Sequence, residues 1–572
     1  MKVFRFETFL IAILHALSLC DACTNVLVTP SASVDDNSLI AYNADSGNLM
    51  GMLYHYPAST NESGTLRKVW NWDTAEYLET TFGGIDILSN PKHQPDAKID
   101  YGSLIYITLQ RAKSAKEAIK TMAALMDEYG YASEGESFSI ADRFGEVWIM
   151  EVIGRGEGKV GSVWVAMKIP DGMISAHSNQ ARIRTFPRND EENCLYSHDV
   201  VDLAKEIGVY KSAKDDPEDL LFSFSDVYDP VSFMGARASD ARTWSIFSML
   251  AKDSSFEKRY EAYALGNDPT NRMPLWIEPK KKLSYEDIRA VMANHYEGTA
   301  LSFDQDVGAG TYNTPYRARP LVWKYNEVSY HNERAVATQQ TGWNFIAQIR
   351  LNMPPQISSI LWFAVDDSST SPRFPVYGCS TSVSEAYGGK GTQDGVPSPL
   401  LSFDISKAFW IQNMVSNLVY SRWKDSYELV KDKIKAIHDV FDEEIKYIDE
   451  QLLAEYDAKN EDELVKLATS FSVRSGDRLH KEWFQFYGEL FARLRDFYLI
   501  EEDQDDPICN CKVGEAGFSE EWAQKIVDET ADKYKCVDDD SVPDMSAIAL
   551  RGFEDHSKRQ RLGINKVTLA AM

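Results

Sequence analysis

The order of strand and helix patterns along the chain is the feature that most limits its fold. Residues 25–29 and 38–43 are β-type runs separated by an Asp-Asp-Asn turn. Residues 137–141 and 146–153 repeat this pattern around an Asp-Arg-Phe-Gly turn, which predicts a β-hairpin. A third group of strand runs follows later in the chain, at residues 335–339, 343–349 and 360–365.

Helical patterns are interleaved with these strands. Ser114 and Glu117 have the spacing of a capping box, and apolar residues then recur at helical spacing up to Gly130. Ser284 and Asp287 begin a second helix in the same way. Strand runs alternating with helices, without an internal repeat, are typical of a layered α+β fold.

The pattern changes near residue 405. Long helices with a charged face and an apolar face dominate residues 405–499, and they are interpreted as packing or oligomer surfaces, so a homo-oligomer is allowed. Residues 503–507 are predicted to be an acidic linker, and residues 518–534 one further helix. The chain therefore divides into an α+β domain at residues 23–404 and a helical C-terminal region at residues 405–572.

The composition excludes some partners. The chain has 572 residues, of which 44% are hydrophobic and 12% aromatic, enough for a large folded core. Its formal net charge is −27, which argues against nucleic acid or an anionic membrane surface as a partner.

The first 22 residues have the pattern of a signal peptide. Lys2 and Arg5 precede a mostly apolar run at residues 9–19, and small residues precede a cleavage point after Ala22. Cleavage there predicts a secreted chain, outside the cell or in a lysosome- or vacuole-like compartment, without a membrane anchor. The alternative is that this segment is a buried first strand or helix.

The cysteines and histidines favour neither a disulfide scaffold nor a metal site. Cys536 is predicted to pair with Cys509 or Cys511, because a bridge between the latter two is expected to be strained. The histidines lack the spacing of zinc ligands, so no metal or other cofactor is predicted.

Cleavage after Ala22 makes Cys23 the first residue, directly ahead of a strand. A free α-amine has a reference pKa of about 7.7–8.0 and a thiol one of about 8.5, so the amine can accept the thiol proton. The thiolate can then attack a carbonyl carbon. One residue supplies nucleophile and base. The alternative is a structural cysteine.

Several motifs, in a fixed order, resemble one family. They are CTNVLV at 23–28, SASVD at 31–35, NADSG at 43–47, SFSIAD at 137–142, HSNQARI at 177–183, ARTW at 241–244 and TQQTG at 338–342. Together they resemble the dipeptidase A family of N-terminal-nucleophile cysteine peptidases, of which secernins are relatives. The resemblance covers residues 23–423.

The resemblance implies a four-layer αββα sandwich and an acyl-enzyme on Cys23, with short peptides as substrates. It implies that Asp45 holds the α-amine and that Asn179 donates to the oxyanion. Arg242 matches an arginine that lowers the pKa of the thiol, and Arg237 is a close competitor.

The chain departs from the family at two places. Tyr42 stands near a position where the superfamily often has arginine. An asparagine-bearing strand expected before Glu79 is missing. The missing strand leaves open a catalytically impaired secreted binding protein. A non-peptide amidase is a further alternative, because the superfamily that the chain resembles also contains such enzymes.

Overall fold

The computed structural model describes residues 23–47, 49–56, 66–71, 76–81, 84–85, 97–133, 135–156, 159–389 and 400–536, with the backbone alone between 66 and 85. The chain forms two compact units, Met1–Glu515 and Ala516–Met572. The predicted signal peptide at residues 1–22 lies outside the described residues. The predicted boundary between residues 404 and 405 stays a prediction.

The first unit contains the strands. They are β1 Thr24–Val28, β2 Ser38–Asp45, β3 Leu66–Asn71, β4 Glu76–Thr81, β5 Gly84–Ile85, β6 Glu136–Ala141, β7 Val147–Gly154, β8 Ser162–Lys168, β9 Ile174–His177, β10 Cys194–Tyr196, β11 Trp276–Ile277, β12 Val322–Tyr325, β13 Val328–His331, β14 Thr341–Ile349, β15 Ser359–Val365, β16 Phe374–Tyr377, β17 Tyr498–Glu502 and β18 Cys511–Glu515.

The α-helices connect and follow these strands. They are α1 Tyr101–Leu109, α2 Ala115–Tyr129, α3 Val200–Glu206, α4 Phe224–Tyr228, α5 Ala241–Leu250, α6 Phe256–Ala264, α7 Tyr285–Met292, α8 Ala408–Ser421, α9 Trp423–Asp457, α10 Glu461–Leu494 and α11 Glu520–Thr530. Helix α11 belongs to the second unit.

Two antiparallel sheets form the centre of the first unit. The larger sheet has seven strands in the order β11-β9-β1-β2-β14-β15-β16, and the smaller has the order β10-β8-β7-β6. Strand β1 pairs with β2 on one side and with β9 on the other. The mixed α+β architecture with antiparallel sheets confirms the coarse fold prediction.

Strand β1 is buried on both faces. Successive side chains of a strand point to opposite sides, so its residues pack against two different layers. On one side Val26 packs in a core cluster with Trp244 of α5 and Ile288 of α7. On the other side Leu27 packs with Val147 of the smaller sheet and with Ile169. The two sheets therefore meet at Leu27, and helices cover the opposite face of the larger sheet.

The smaller sheet also has helices on its far side. Trp148 and Met150 of β7 pack with Ile119 and Met126 of α2 in a second cluster. Ser114 accepts a hydrogen bond from the Glu117 amide and caps this helix as predicted. The Glu117 carboxylate, however, accepts from the Lys113 amide at 2.8 Å, so the reciprocal half of a capping box is absent here.

The predicted C-terminal helical region is confirmed, and it packs on the edge of the larger sheet. Ser472 of α10 accepts a hydrogen bond from the Tyr377 amide at 3.0 Å. Asp449 of α9 accepts from the Tyr377 hydroxyl at 2.7 Å and forms an ion pair with buried Arg350. One hydrophobic cluster includes Val26 of β1 as well as apolar residues of these helices, so sheet and helices share a core.

The strand predicted at residues 335–339 is wrong. The Ala337 amide donates to the Asn294 carbonyl at 3.0 Å, and the Thr341 amide donates to the Thr338 carbonyl at 3.1 Å. These bonds close a turn ahead of β14. Val336 and Ala337 are apolar because the turn is buried, not because they extend a strand.

The acidic linker predicted at residues 503–507 is also wrong. These residues lie in the loop between β17 and β18, which pair antiparallel, and the Asp503 amide donates to the Asn510 carbonyl at 2.9 Å. The loop brings Cys509 and Cys511 together in a disulfide, and Cys536 is a free thiol. The Cα atoms of the bridged pair are 5.0 Å apart, within the ordinary span of a disulfide, so the predicted Cys536 bridge is wrong too.

Candidate functional site

Cys23 lies immediately before β1, on the sheet face that looks toward the smaller sheet. Thr24 pairs with Asn43 and Asn25 with Tyr42, which places the Cys23 and Tyr42 side chains on the same face. The Cys23 side chain is half-buried, and its Sγ accepts a hydrogen bond from the Tyr42 hydroxyl at 2.7 Å.

The surroundings of Cys23 disfavour a thiolate while the residue is in mid-chain. Burial, together with the negative charge of Asp45, raises the pKa of the Cys23 thiol to about 12. The hydrogen bond from Tyr42 opposes this rise. With Ala22 still attached, the thiol is therefore protonated at neutral pH, and its reaction requires a base.

Arg242 of α5 links two of the other predicted site residues, Cys23 and Asn179. The side chain is fully buried, and its Nη1 donates to the Cys23 carbonyl at 2.9 Å and to Thr24 Oγ1 at 2.7 Å. Its Nη2 donates to Asn179 Oδ1 at 2.7 Å. The guanidinium thus contacts the main chain of Cys23 rather than the sulfur. Arg237 lies elsewhere, bound through Nε to Glu333 at 2.9 Å.

Asn179 follows β9 and is exposed to solvent. Because Arg242 holds the amide oxygen, the amide NH₂ group of Asn179 is the end available to donate to a bound molecule. The cation therefore fixes the orientation of a neutral donor beside Cys23. Such a fixed donor can stabilise an oxygen that gains negative charge.

Asp45 ends β2 and is almost fully buried. Its Oδ1 accepts a hydrogen bond from Thr341 Oγ1 at 2.7 Å, and its Oδ2 lies 3.4 Å from Arg334 Nη2. Burial raises the pKa of Asp45 to about 6, against the opposing effects of Arg334 and Thr341. The structure thus brings Asp45 close enough to influence Cys23 and holds its carboxylate in place.

Sequence reasoning missed part of this neighbourhood. In the sequence Tyr42 is only a departure from the family, whereas its register on β2 places it beside β1. His177 of β9 belongs to the HSNQARI motif, which predicts no role for it, and its Nε2 lies 2.9 Å from Ser139 Oγ. Burial lowers the pKa of His177 to about 3, so its ring is neutral. Thr341 and Arg334 lie far along the chain, and no local pattern indicates their contact with Asp45.

Two further features of the described residues concern metal binding and the membrane. In the described part of the chain, His, Cys, Asp and Glu residues form no group of three or more that could hold a metal ion. None of the helices in that same part is both long and apolar enough to cross a bilayer. Strand β3 Leu66–Asn71 precedes Glu79 and pairs with β4, and it ends at Asn71. The Asn71 side chain lies outside the described residues, so the predicted loss of an oxyanion asparagine before Glu79 stays a prediction.

Residues 75–436, more than half of the chain, match the peptidase family C69. The chain belongs to peptidase family C69. Asn179 and Arg242 lie inside the matched range, whereas Cys23 and Asp45 precede it. The match therefore identifies the family of this C69 member without identifying its nucleophile.

Several curated relatives of this C69 chain are bacterial proteins. Dipeptidase A of Lactobacillus helveticus is 22% identical over 458 residues, covering 71% of this chain and 85% of the relative. A probable dipeptidase of Latilactobacillus sakei is 22% identical over 438 residues, covering 70% and 82%. A probable dipeptidase of Salmonella dublin is 22% identical over 395 residues, covering 62% and 81%.

Proposed function

We propose that this C69 chain is a cysteine-type dipeptidase whose nucleophile is Cys23, exposed as the N-terminal residue when residues 1–22 are removed. The observation that carries the proposal is the arrangement around Cys23. A single buried cation, Arg242, binds the Cys23 carbonyl and Asn179, so it ties the reacting residue to an oriented amide donor. The names of the bacterial relatives support a dipeptide as the substrate.

The first half of the reaction forms an acyl-enzyme. The α-amine of mature Cys23 takes the proton from Sγ, and the sulfur forms a bond to the carbonyl carbon of the substrate. The π electrons move to the carbonyl oxygen, which the Asn179 amide stabilises. The C–N bond then breaks, and the ammonium of Cys23 gives its proton to the departing nitrogen, while Asp45 orients that ammonium.

The second half restores the enzyme. A water molecule gives a proton to the α-amine, and its oxygen attacks the thioester carbonyl carbon. The C–S bond breaks, the sulfur recovers the proton, and the free acid leaves. No group outside the substrate, water and this chain takes part in either half.

The proposed fold is the αββα sandwich of N-terminal-nucleophile hydrolases. Packing of Leu27 on Val147 between the two sheets supports this arrangement, as do helices on the far face of each sheet. The apolar segment before Ala22 supports entry into the secretory pathway, with an extracellular or lysosome-like destination.

N-terminal sequencing of the secreted protein, combined with a panel of substrates, tests the proposal. We expect the mature chain to begin at Cys23 and to hydrolyse dipeptides faster than N-acyl amino acids or other acyl amides. Faster hydrolysis of acyl amides would indicate an amidase. A mature chain that begins at another residue would overturn the mechanism, because the α-amine would not belong to the nucleophile.

Replacing Asn179 with alanine is expected to lower kcat for dipeptides by about 10²- to 10³-fold, because one oxyanion donor is lost. KM is expected to change little, since the donor acts on charge that develops in the transition state. Steady-state kinetics of the mature variant measure both constants.

The matched control is Asn193→Ala. Asn193 is likewise exposed, and its amide donates to the Asp190 carboxylate at 2.9 Å, away from Cys23. Its replacement is expected to leave kcat unchanged. A wild-type kcat in Asn179→Ala would remove Asn179 from the oxyanion site.

A further inference from the structure

Tyr42 is held against the sulfur of Cys23 by the sheet on which both lie. Its ring packs on Trp343 with a centroid separation of 5.0 Å and on Phe345 with one of 5.6 Å. Both aromatic residues are on β14, and Phe345 is the direct cross-strand partner of Tyr42. The ring is therefore fixed by its neighbours, and its hydroxyl points at Sγ over 2.7 Å.

From this geometry we infer that Tyr42 is a catalytic residue that stabilises the thiolate of Cys23 by donating a neutral hydrogen bond to it. The inference rests on the proposed function only in taking Cys23 as the nucleophile. Hydrogen bonds to a charged acceptor contribute more than those between neutral groups. The bond to Tyr42 therefore strengthens when the thiol loses its proton, which favours the reactive form.

The charges around the sulfur explain why such a donor matters. Asp45 and Glu136 place negative charge near Cys23, and both raise the pKa of its thiol. Arg242 donates hydrogen bonds to the Cys23 carbonyl, Thr24 and Asn179 rather than to the sulfur. The hydrogen bond from Tyr42 to Sγ lowers the pKa of the thiol, whereas the two carboxylates raise it.

Tyr42 acts as a donor and does not give up its proton. Burial, together with the nearby Cys23 thiol, raises the pKa of Tyr42 well above its ordinary value. The phenol thus stays protonated across the working pH range, and the proton taken from Sγ goes to the α-amine. Among the described residues, the charged or titratable groups that act on Cys23 or Tyr42 include Asp45, Glu136, Tyr101 and Arg242, and Arg334 acts on Asp45 in turn.

The test measures the thiol directly and does not depend on peptide hydrolysis. Mature wild-type protein and Tyr42→Phe are alkylated with iodoacetamide from pH 5 to 10, and labelling of Cys23 is followed by peptide mass spectrometry. Phenylalanine keeps the ring between Trp343 and Phe345 and removes the hydroxyl. We expect alkylation of Tyr42→Phe at pH 7 to be roughly 10- to 100-fold slower, with its pH profile displaced upward.

Tyr228→Phe is the matched control. The Tyr228 hydroxyl also makes a half-buried hydrogen bond, to the Val200 carbonyl at 2.5 Å, in a different cluster. Its loss is expected to leave alkylation of Cys23 unchanged. Superimposable profiles for wild type and Tyr42→Phe, or equal displacement by Tyr228→Phe, would overturn the role of Tyr42.

The result separates this inference from the proposed function. A displaced alkylation profile in a protein that hydrolyses no dipeptide supports the role of Tyr42 and rejects the dipeptidase. A protein that hydrolyses dipeptides but alkylates identically in both forms supports the dipeptidase and rejects the role of Tyr42. If the protein is a dipeptidase and Tyr42 stabilises the thiolate, kcat/KM of Tyr42→Phe is expected to recover as the pH rises.

Discussion

Replacing Cys23 with alanine is expected to abolish dipeptide hydrolysis, with kcat falling by roughly 10⁴-fold or more. The thiol is the group that forms the acyl bond, and the neighbouring side chains supply no substitute at the same point. Tyr42 donates a hydrogen bond to the sulfur, Asn179 accepts one from Arg242, and Asp45 is bound to Thr341 and Arg334. None of them forms the covalent acyl bond in place of the Cys23 sulfur. Turnover of a dipeptide that gives a chromogenic product measures the loss.

The control for this experiment is Cys379→Ala. Cys379 is also a half-buried free thiol, and it lies just after β16. Its replacement is expected to leave turnover within twofold of wild type. Thermal unfolding of both variants verifies that they fold. Dipeptide hydrolysis by Cys23→Ala within tenfold of wild type would show that the nucleophile lies elsewhere.

Elements whose signals are local could be predicted from the sequence. The runs at residues 25–29 and 38–43 became β1 and β2, and the hairpin around residue 143 became β6 and β7. Ser284 and Asp287 form a full capping box at the start of α7. In each case a turn or cap lies next to the periodic segment, so a few consecutive residues determine the element.

Elements that depend on distant contacts were predicted wrongly. Residues 335–339 have strand composition, yet the Ala337 amide bonds to Asn294 and the segment turns. The acidic residues 503–507 look like a linker, yet they close a hairpin that pairs β17 with β18. Local composition cannot show which backbone group will be the partner.

For the candidate site, too, local motifs predict which residues take part but not which atoms they contact. Cys23, Asp45, Asn179 and Arg242 could be named from motifs, and the structure places Arg242 against both Cys23 and Asn179. What each side chain contacts could not be named. The bond from Arg242 goes to a carbonyl, and the bond to the sulfur comes from Tyr42, because strand register decides which side chains are neighbours.

Keeping one residue ahead of Cys23 is expected to lower kcat/KM by about 10²- to 10⁴-fold, the usual effect of losing a general base. Ala22 would convert the α-amine of Cys23 into an amide, which cannot accept the thiol proton. Burial, which raises the pKa of the mid-chain thiol to about 12, would then keep Cys23 protonated. The rest of the site, including Tyr42 and Arg242, would be unchanged.

Two fusion proteins test this expectation with a single-residue difference. In one, the tag is removed to leave Cys23 first; in the other, it is removed to leave Ala22 first, and mass spectrometry verifies both termini. The Ala22 form is expected to bind substrate but to turn over slowly, with a rate that rises with pH because hydroxide must remove the thiol proton. Equal kcat/KM for the two forms would show that a side chain serves as the base. Asp45 would then be the first candidate, since its charge acts on the Cys23 thiol more strongly than that of Glu136.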